Sequence, residues 1–308
     1  MIKTKVLSRL LIFFIGLPLV AALILFLPYY NHLALNICVV IISSVGAVEF
    51  ALMLRARGFP VYIGEAAILG SLSPLSATLI VSFNTNEQIT QILFIIGAVW
   101  VLISEIFLHR SRSRKKQGPA DAVADDKGVQ DSAPDFSLVL NRLAASFSVM
   151  IYPGILLGWL VNMSTFKYST TVIFTFVLCV MANDSLAWVT GMLFGKNNRG
   201  IISVSPNKSI AGYCGGMAAS IAVCIAMAYI KPEAFMPDKT AVLPSAILLG
   251  FFTGIMVILG DLAESAIKRG SGFKDSGSLF PGRGGALDST DSIALAAPLF
   301  YVLYRFFF

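Results

Sequence analysis

Apolar runs of about twenty residues recur along this chain, and no other feature limits its fold so strongly. The hydrocarbon core of a bilayer is about 30 Å thick, and a helix crosses it with about 20 mostly apolar residues. Nine segments have that character: residues 7–28, 33–54, 61–83, 89–108, 138–161, 170–194, 210–230, 242–266 and 291–308. Composition points the same way. Hydrophobic residues make up 56% of the 308 and charged residues only 13%, against about 25% charged in a soluble domain. Too few charges remain to coat a water-soluble surface of this size. The expectation is an all-α polytopic integral membrane protein with about nine transmembrane helices. Two segments are irregular: the third carries Glu65 and Pro74 and is expected to kink or re-enter, and the sixth carries Asp184 near its middle.

Lys3, Lys5 and Arg9 precede the apolar run from Leu10 to Leu27, an order shared with secretory signals. The run is longer than a signal core and ends in Leu27-Pro28-Tyr29-Tyr30 instead of a small-residue cleavage site, so a retained first helix is expected. Cys38, Cys179, Cys214 and Cys224 all lie in apolar stretches without a C-x-x-C spacing. They read as small buried hydrophobes, neither disulfides nor metal ligands.

The formal charge of +6 and the isoelectric point near 9.2 are accounted for by topogenic lysines and arginines. With the N-terminus in the cytoplasm, the cytoplasmic loops hold Arg55 and Arg57, then Arg110 to Lys116. Further along they hold Lys196, Arg199 and Lys208, and last Lys268, Arg269, Lys274 and Arg283. The opposite side holds only Lys167, Lys231, Lys239 and Arg305. That asymmetry sets the expected orientation and supports the helix count.

The stretch from His109 to Phe136 begins basic (RSRSRKK) and turns acidic and small (GPADAVADDKGVQDSAPD), the composition of a flexible polar linker. It divides the chain into an N-terminal four-helix part over 1–108, a polar cytoplasmic loop over 109–137, and a C-terminal five-helix catalytic part over 138–308. No internal repeat is visible.

Polar residues past position 180 concentrate at the cytoplasmic ends of the sixth and eighth segments and in the loops that follow. The densest stretch is Gly260 to Ser292, GDLAESAIKRGSGFKDSGSLFPGRGGALDSTDS. Asp261, Glu264 and Lys268 recur at helical spacing and share one face. Lys268, Arg269 and Lys274 alternate with glycines, so cations and backbone N–H groups can both approach phosphates. Asp275, Asp288 and Asp291 are hard carboxylates, and the last two stand three apart where a helix begins, suited to Mg²⁺ through oxygen. Singly, each feature has a plain structural reading as an ion pair, a helix cap or a topogenic charge. Together within some thirty residues they point to phosphoryl or nucleotidyl transfer.

This stretch resembles the signature of the phosphatidate cytidylyltransferase (CDP-diacylglycerol synthase) family, roughly S-x-x-K-R-x4-K-D-x5-P-G-H-G-G-x-x-D-R-x-D. Here it reads Ser265, Lys268-Arg269, Lys274-Asp275, Pro281-Gly282-Arg283-Gly284-Gly285, Asp288 and Asp291, without gaps. Arg283 stands for the family's His and Ser289 for its Arg. A second resemblance lies upstream: Asn183-Asp184-Ser185, then Gly191-Met192-Leu193-Phe194-Gly195, then Ser205-Pro206-Asn207-Lys208-Ser209-Ile210-Ala211-Gly212. There Asn207 and Ala211 replace a Lys and a Glu. The likeness covers about residues 180 to 292.

The resemblance implies transfer of a cytidylyl group from CTP to phosphatidic acid, giving CDP-diacylglycerol and pyrophosphate in phospholipid biosynthesis, with Mg²⁺ as cofactor. It implies catalytic roles for Asp275, Asp288, Lys274 and Lys268. Phosphate binding falls to Lys208, Ser209, Lys268, Arg269, Lys274, Arg283, Gly284 and Gly285. Metal binding falls to Asp275, Asp288 and Asp291, with Asp184 or Asp261 completing the shell. The expected setting is a bacterial inner membrane with the site facing the cytoplasm, no nucleic-acid partner, and room for a homodimer. Glu49, Glu65 and Glu105 are further intramembrane carboxylates with weaker claims, since each could pair or snorkel near a helix end. The alternatives are a transporter with intramembrane carboxylates and a catalytically inactive relative.

Overall fold

A computed structural model of the protein describes residues 16–116, 139–235, 242–279 and 284–308. All regular structure among the described residues is helical, apart from isolated bridge residues such as the pair Arg199 and Ser209. Apart from the single turn Pro232–Phe235, the helices are α1 (Leu17–Phe26), α2 (Tyr29–Ala56), α3 (Ile63–Phe83), α4 (Gln88–Lys116), α5 (Val139–Thr165), α6 (Ser169–Phe194), α7 (Ile210–Ile230), α8 (Val242–Ser271) and α9 (Ala286–Phe307).

Seven of them, α2, α3 and α5 to α9, are long and apolar enough to cross a membrane. The two that fall short have simple reasons. Only ten residues of α1 are described, the start of the first apolar segment lying outside the described residues. In α4 only Gln88–Ser104 is described beyond the backbone, while the helix itself continues through the basic RSRSRKK run to Lys116. No Gly or Pro interrupts that run before Gly118, so nothing local stops the helix earlier. The acidic half of the predicted linker lies outside the described residues.

The helices are apolar over most of their faces, as a lipid-embedded bundle requires. Ile41, Ile68, Ile95, Tyr229 and Val302 are exposed, and in a bilayer they meet acyl chains. Between helices, glycines set the distance. Gly70 of α3 lies against Ser43 and Ala47 of α2, and a Cβ on Gly154 of α5 would stand 3.0 Å from the Gly70 carbonyl oxygen. A Cβ on Gly250 of α8 would meet the Ile221 backbone of α7 at 2.6 Å. Small residues at these crossings let backbones approach where no hydrophobic drive between helices exists.

Pro153 falls inside α5, and the chain answers with a π-helical stretch, Met150–Ile155. The carbonyl of Pro153 accepts a hydrogen bond from Ser43 Oγ, which also reaches the Gly70 carbonyl at 2.7 Å. Freed backbone groups in a membrane helix find partners of this kind on neighbouring helices. Pro74, where the third segment was expected to kink, sits inside the continuous helix α3, where Thr78 Oγ1 donates to its carbonyl at 2.7 Å.

One buried ion pair ties the N-terminal helices to α5. Arg142, wholly buried, donates from Nη2 to Glu65 Oε2 at 2.6 Å and to Ser104 Oγ at 2.9 Å, with its guanidinium 4.5 Å from the Tyr62 ring centroid. Glu65 is therefore a paired structural carboxylate. Away from this end, Phe176, Phe235, Phe300 and Tyr304 anchor the largest apolar cluster. Tyr304 Oη donates to the Ala234 carbonyl at 2.5 Å. A Tyr304→Phe substitution removes this one bond, and thermal unfolding should show a loss of about 1 kcal/mol.

Candidate active site

The C-terminal end of α6, the loop 195–209 and the start of α7 build the first wall. Ser209 is the N-cap of α7, its Oγ accepting the Gly212 N–H at 3.1 Å. Ser209 packs so closely on the end of α6 that a Cβ on Gly195 would come within 2.6 Å of its Oγ. The Gly-x-x-Phe-Gly spacing over Gly191 to Gly195 is thus a close-approach device that delivers the cap. Ser209→Ala should lower stability by about 1 kcal/mol through the lost cap, measurable as a shift in thermal unfolding in detergent.

Next to the cap, Lys208 forms an ion pair with Asp261 of α8. Burial pulls the Lys208 ammonium below the ordinary lysine value, and the carboxylates of Asp291 and Asp184 oppose that pull. Lys208 thereby carries one helix's acid to another helix's loop.

The second wall is the C-terminal part of α8 with the N-terminus of α9. Lys268 pairs with Glu264 one turn earlier and donates to Asp288 Oδ1 at 2.5 Å. The i,i+4 spacing makes the first contact local, whereas the second joins residues twenty apart, on α8 and α9. The Oδ2 of Asp288 accepts the N–H groups of Ser276 and Gly285 at 2.7 Å each, and lies 2.9 Å from Ser276 Oγ. Gly284, at φ +109°, supplies the backbone conformation that lets the loop turn beside that carboxylate. Asp291, one turn further on, is nearly buried, and its Oδ1 lies 2.6 Å from the Ser292 backbone nitrogen.

These walls enclose a cavity of about 590 Å³. Asp184, Asp261, Asp275, Asp288 and Asp291 all line it, together with Lys208, Ser209 and Lys268. Trp188, Met192, Tyr213 and Ile258 give it an apolar side. Four candidates named from the sequence are placed elsewhere: Arg269 and Lys274 are exposed beyond the lining, and Gly284 and Gly285 support it from behind. Arg283 lies outside the described residues.

Two residues with little or no signal in the sequence hold the site together. Asn183 Nδ2 donates to Ser220 Oγ at 2.9 Å and lines the floor of the cavity between α6 and α7. Its place immediately before Asp184 was the only hint. Glu49 of α2 accepts the N–H groups of Ala286 and Leu287 at 2.9 Å each and sits 2.9 Å from Ser276 Oγ. Its sequence signal was a lone carboxylate in an apolar run.

Among the described residues, a helical polytopic bundle with five aspartates, two lysines and Arg199 lining one cavity defines a membrane protein with a densely charged site. The sequence pattern of the cytidylyltransferase family matches residues 7–307, and the chain belongs to that family. It is similar to the phosphatidate cytidylyltransferase of Haemophilus influenzae, 37% identical over 134 residues, which span 44% of this chain and 45% of that one. With the enzyme of the same name from Synechocystis it is 38% identical over 123 residues, covering 40% of this chain and 39% of the relative. With that of Mycobacterium bovis the identity is 29% over 291 residues, covering 92% and 82%. The first two matches therefore span less than half of each relative's length.

Proposed function

We propose that this protein transfers the cytidylyl group of CTP to phosphatidic acid, releasing pyrophosphate and leaving CDP-diacylglycerol in the membrane. The observation that carries this reading is the gathering of Lys208, Lys268 and the five aspartates on one cavity whose other side is apolar. A charged nucleotide and a lipid headgroup need such a two-sided space.

A phosphatidate oxygen attacks the α-phosphorus of CTP. The new P–O bond forms as the bond to the β-phosphate bridging oxygen breaks, and pyrophosphate departs with that electron pair. The nucleophile is already an anion, so the site needs no strong general base. What it needs is compensation of charge that shifts onto the leaving group. Lys208 and Lys268 stand in the cavity for that purpose, with Arg269 and Lys274 as further cations beyond its lining in this reading.

Mg²⁺ fits the donor set, since every carboxylate on the cavity is a hard oxygen ligand. Among the described residues no three Asp, Glu, His or Cys side chains are grouped as a metal cage. That suits a cation which takes one or two carboxylates and completes its shell with phosphate oxygens and water. Asp184, Asp261, Asp275, Asp288 and Asp291 all line the cavity and are the candidates to hold it. When bound, the ion would neutralise triphosphate charge.

The charge asymmetry of the loops supports nine crossings, a cytoplasmic N-terminus and a cavity open to the cytoplasm of a bacterial inner membrane, where CTP is available. The decisive experiment supplies labelled CTP to purified protein in phosphatidate mixed micelles, with and without Mg²⁺. Mg²⁺-dependent label in the chloroform phase is the expected result. Label that stays aqueous with folded protein would overturn the assignment.

A further inference from the structure

We infer that Glu49, on the second helix and outside the family-like signature, is a positioning residue for the transfer reaction: its carboxylate holds the N-terminus of α9 and so sets where Asp288 and Lys268 stand. The inference rests on the function proposed above for its kinetic meaning, and on geometry alone for its structural meaning.

The first backbone N–H groups of a helix have no partner within it. At α9 all of them can be traced. Gly285 N–H goes to Asp288 Oδ2 at 2.7 Å, Ala286 N–H to Glu49 Oε1 at 2.9 Å, Leu287 N–H to Glu49 Oε2 at 2.9 Å, and Asp288 N–H to Ser276 Oγ at 3.2 Å. Two of the four are met by a carboxylate from a helix 237 residues earlier in the chain. A helix N-terminus is an anion site by virtue of its free N–H groups and its dipole. Here the protein's own Glu49 fills it, so substrate phosphate is left to the lysine side of the cavity.

The anchor is one residue away from the reacting groups. Ser276 Oγ lies 2.9 Å from both Glu49 Oε2 and Asp288 Oδ2, and Asp288 passes the contact to Lys268 through Oδ1 at 2.5 Å. Two glycines of the signature loop record the same contact. A Cβ on Gly277 would stand 2.8 Å from the Glu49 carboxyl carbon, and one on Gly285 would strike both Glu49 and Ser276. Glu49 is 7% exposed and does not line the cavity. It acts on the chemistry only through Ser276 and Asp288.

Glu49→Gln keeps the volume but turns one acceptor into a donor facing a backbone N–H. The reacting groups then shift, and a displacement of about 1 Å costs about 100-fold in turnover. The expected result is a kcat lower by about that factor with KM for CTP within about threefold. Hydrogen exchange at Ala286 and Leu287 should accelerate in the same variant. Tyr304→Phe, at the opposite end of the bundle, is the stability control and should retain wild-type kcat per folded molecule. Adding Ser276→Ala to Glu49→Gln should lower kcat little beyond the worse single variant, because both break one chain of contacts. Should Glu49→Gln not fold, Gly277→Ala displaces the carboxylate without removing it and should show the same split between kcat and KM. Wild-type kcat in Glu49→Gln, or a loss matching only the unfolded fraction, overturns the inference. If the wild type makes no lipid product, the proposed reaction is wrong, and exchange at Ala286 and Leu287 still decides whether Glu49 is the anchor: unchanged exchange overturns it.

Discussion

Asp288→Asn is expected to lower turnover by about 1000-fold, the upper end of what one preorganised charged partner contributes in an active site. The reason lies in its four contacts. Lys268 uses Oδ1, while Ser276 N–H, Ser276 Oγ and Gly285 N–H converge on Oδ2. An amide offers one acceptor and one donor in place of two acceptors. With its oxygen toward the loop, the NH₂ group meets the Lys268 ammonium. With its oxygen toward Lys268, the NH₂ meets two backbone N–H groups. Either way Lys268 or the loop moves. The helix end itself loses about 1 kcal/mol of capping, too little to unfold the bundle, so expression and melting temperature should stay close to wild type. Label transfer from CTP to the lipid phase measures the result. Turnover within about tenfold of wild type would remove Asp288 from the reacting machinery.

Arg142→Met should have the largest effect on stability. Arg142 is wholly buried against Glu65, itself 7% exposed. Removing one member of a buried pair leaves the other charge uncompensated, at a cost of about 3–5 kcal/mol. Replacing both with apolar residues, Arg142→Met with Glu65→Leu, should restore most of that loss, because well-packed apolar pairs match buried ion pairs in stability. Thermal unfolding of the wild type and both variants in one detergent tests this. A double variant no more stable than Arg142→Met would show that Ser104 and Tyr62, the other neighbours of Arg142, carry the effect. Neither residue lines the cavity, so turnover per folded molecule should not change.

The contrast between these two sites shows what could be read from the chain. Asp261, Glu264 and Lys268 lie on one helical face by spacing alone, and the Lys268–Glu264 contact is the local pair that such spacing allows. Asp288 was visible as part of a long spaced motif. Its role as the hub of the 276–288 loop was not, because that depends on how a loop folds back on its own helix. Glu65 and Glu49 looked alike, each a single carboxylate in an apolar run. One proved to be half of a buried ion pair, the other the cap of a helix far along the chain.

The sequence by itself determined the class of architecture, since hydropathy is a property of each segment and a segment of twenty apolar residues has few places to go. It also marked where charged residues cluster, because such residues are rare enough in a chain like this for their clustering to be informative. Only the tertiary structure decided which charges meet. Lys208 finds Asp261, Lys268 finds Asp288, and Glu49 finds the backbone of Ala286 and Leu287. These partners lie 20 to 238 residues from one another, and no local periodicity encodes such a distance. The packing of glycine-lined helices sets it, and the need to satisfy every buried N–H and carboxylate then selects the partners.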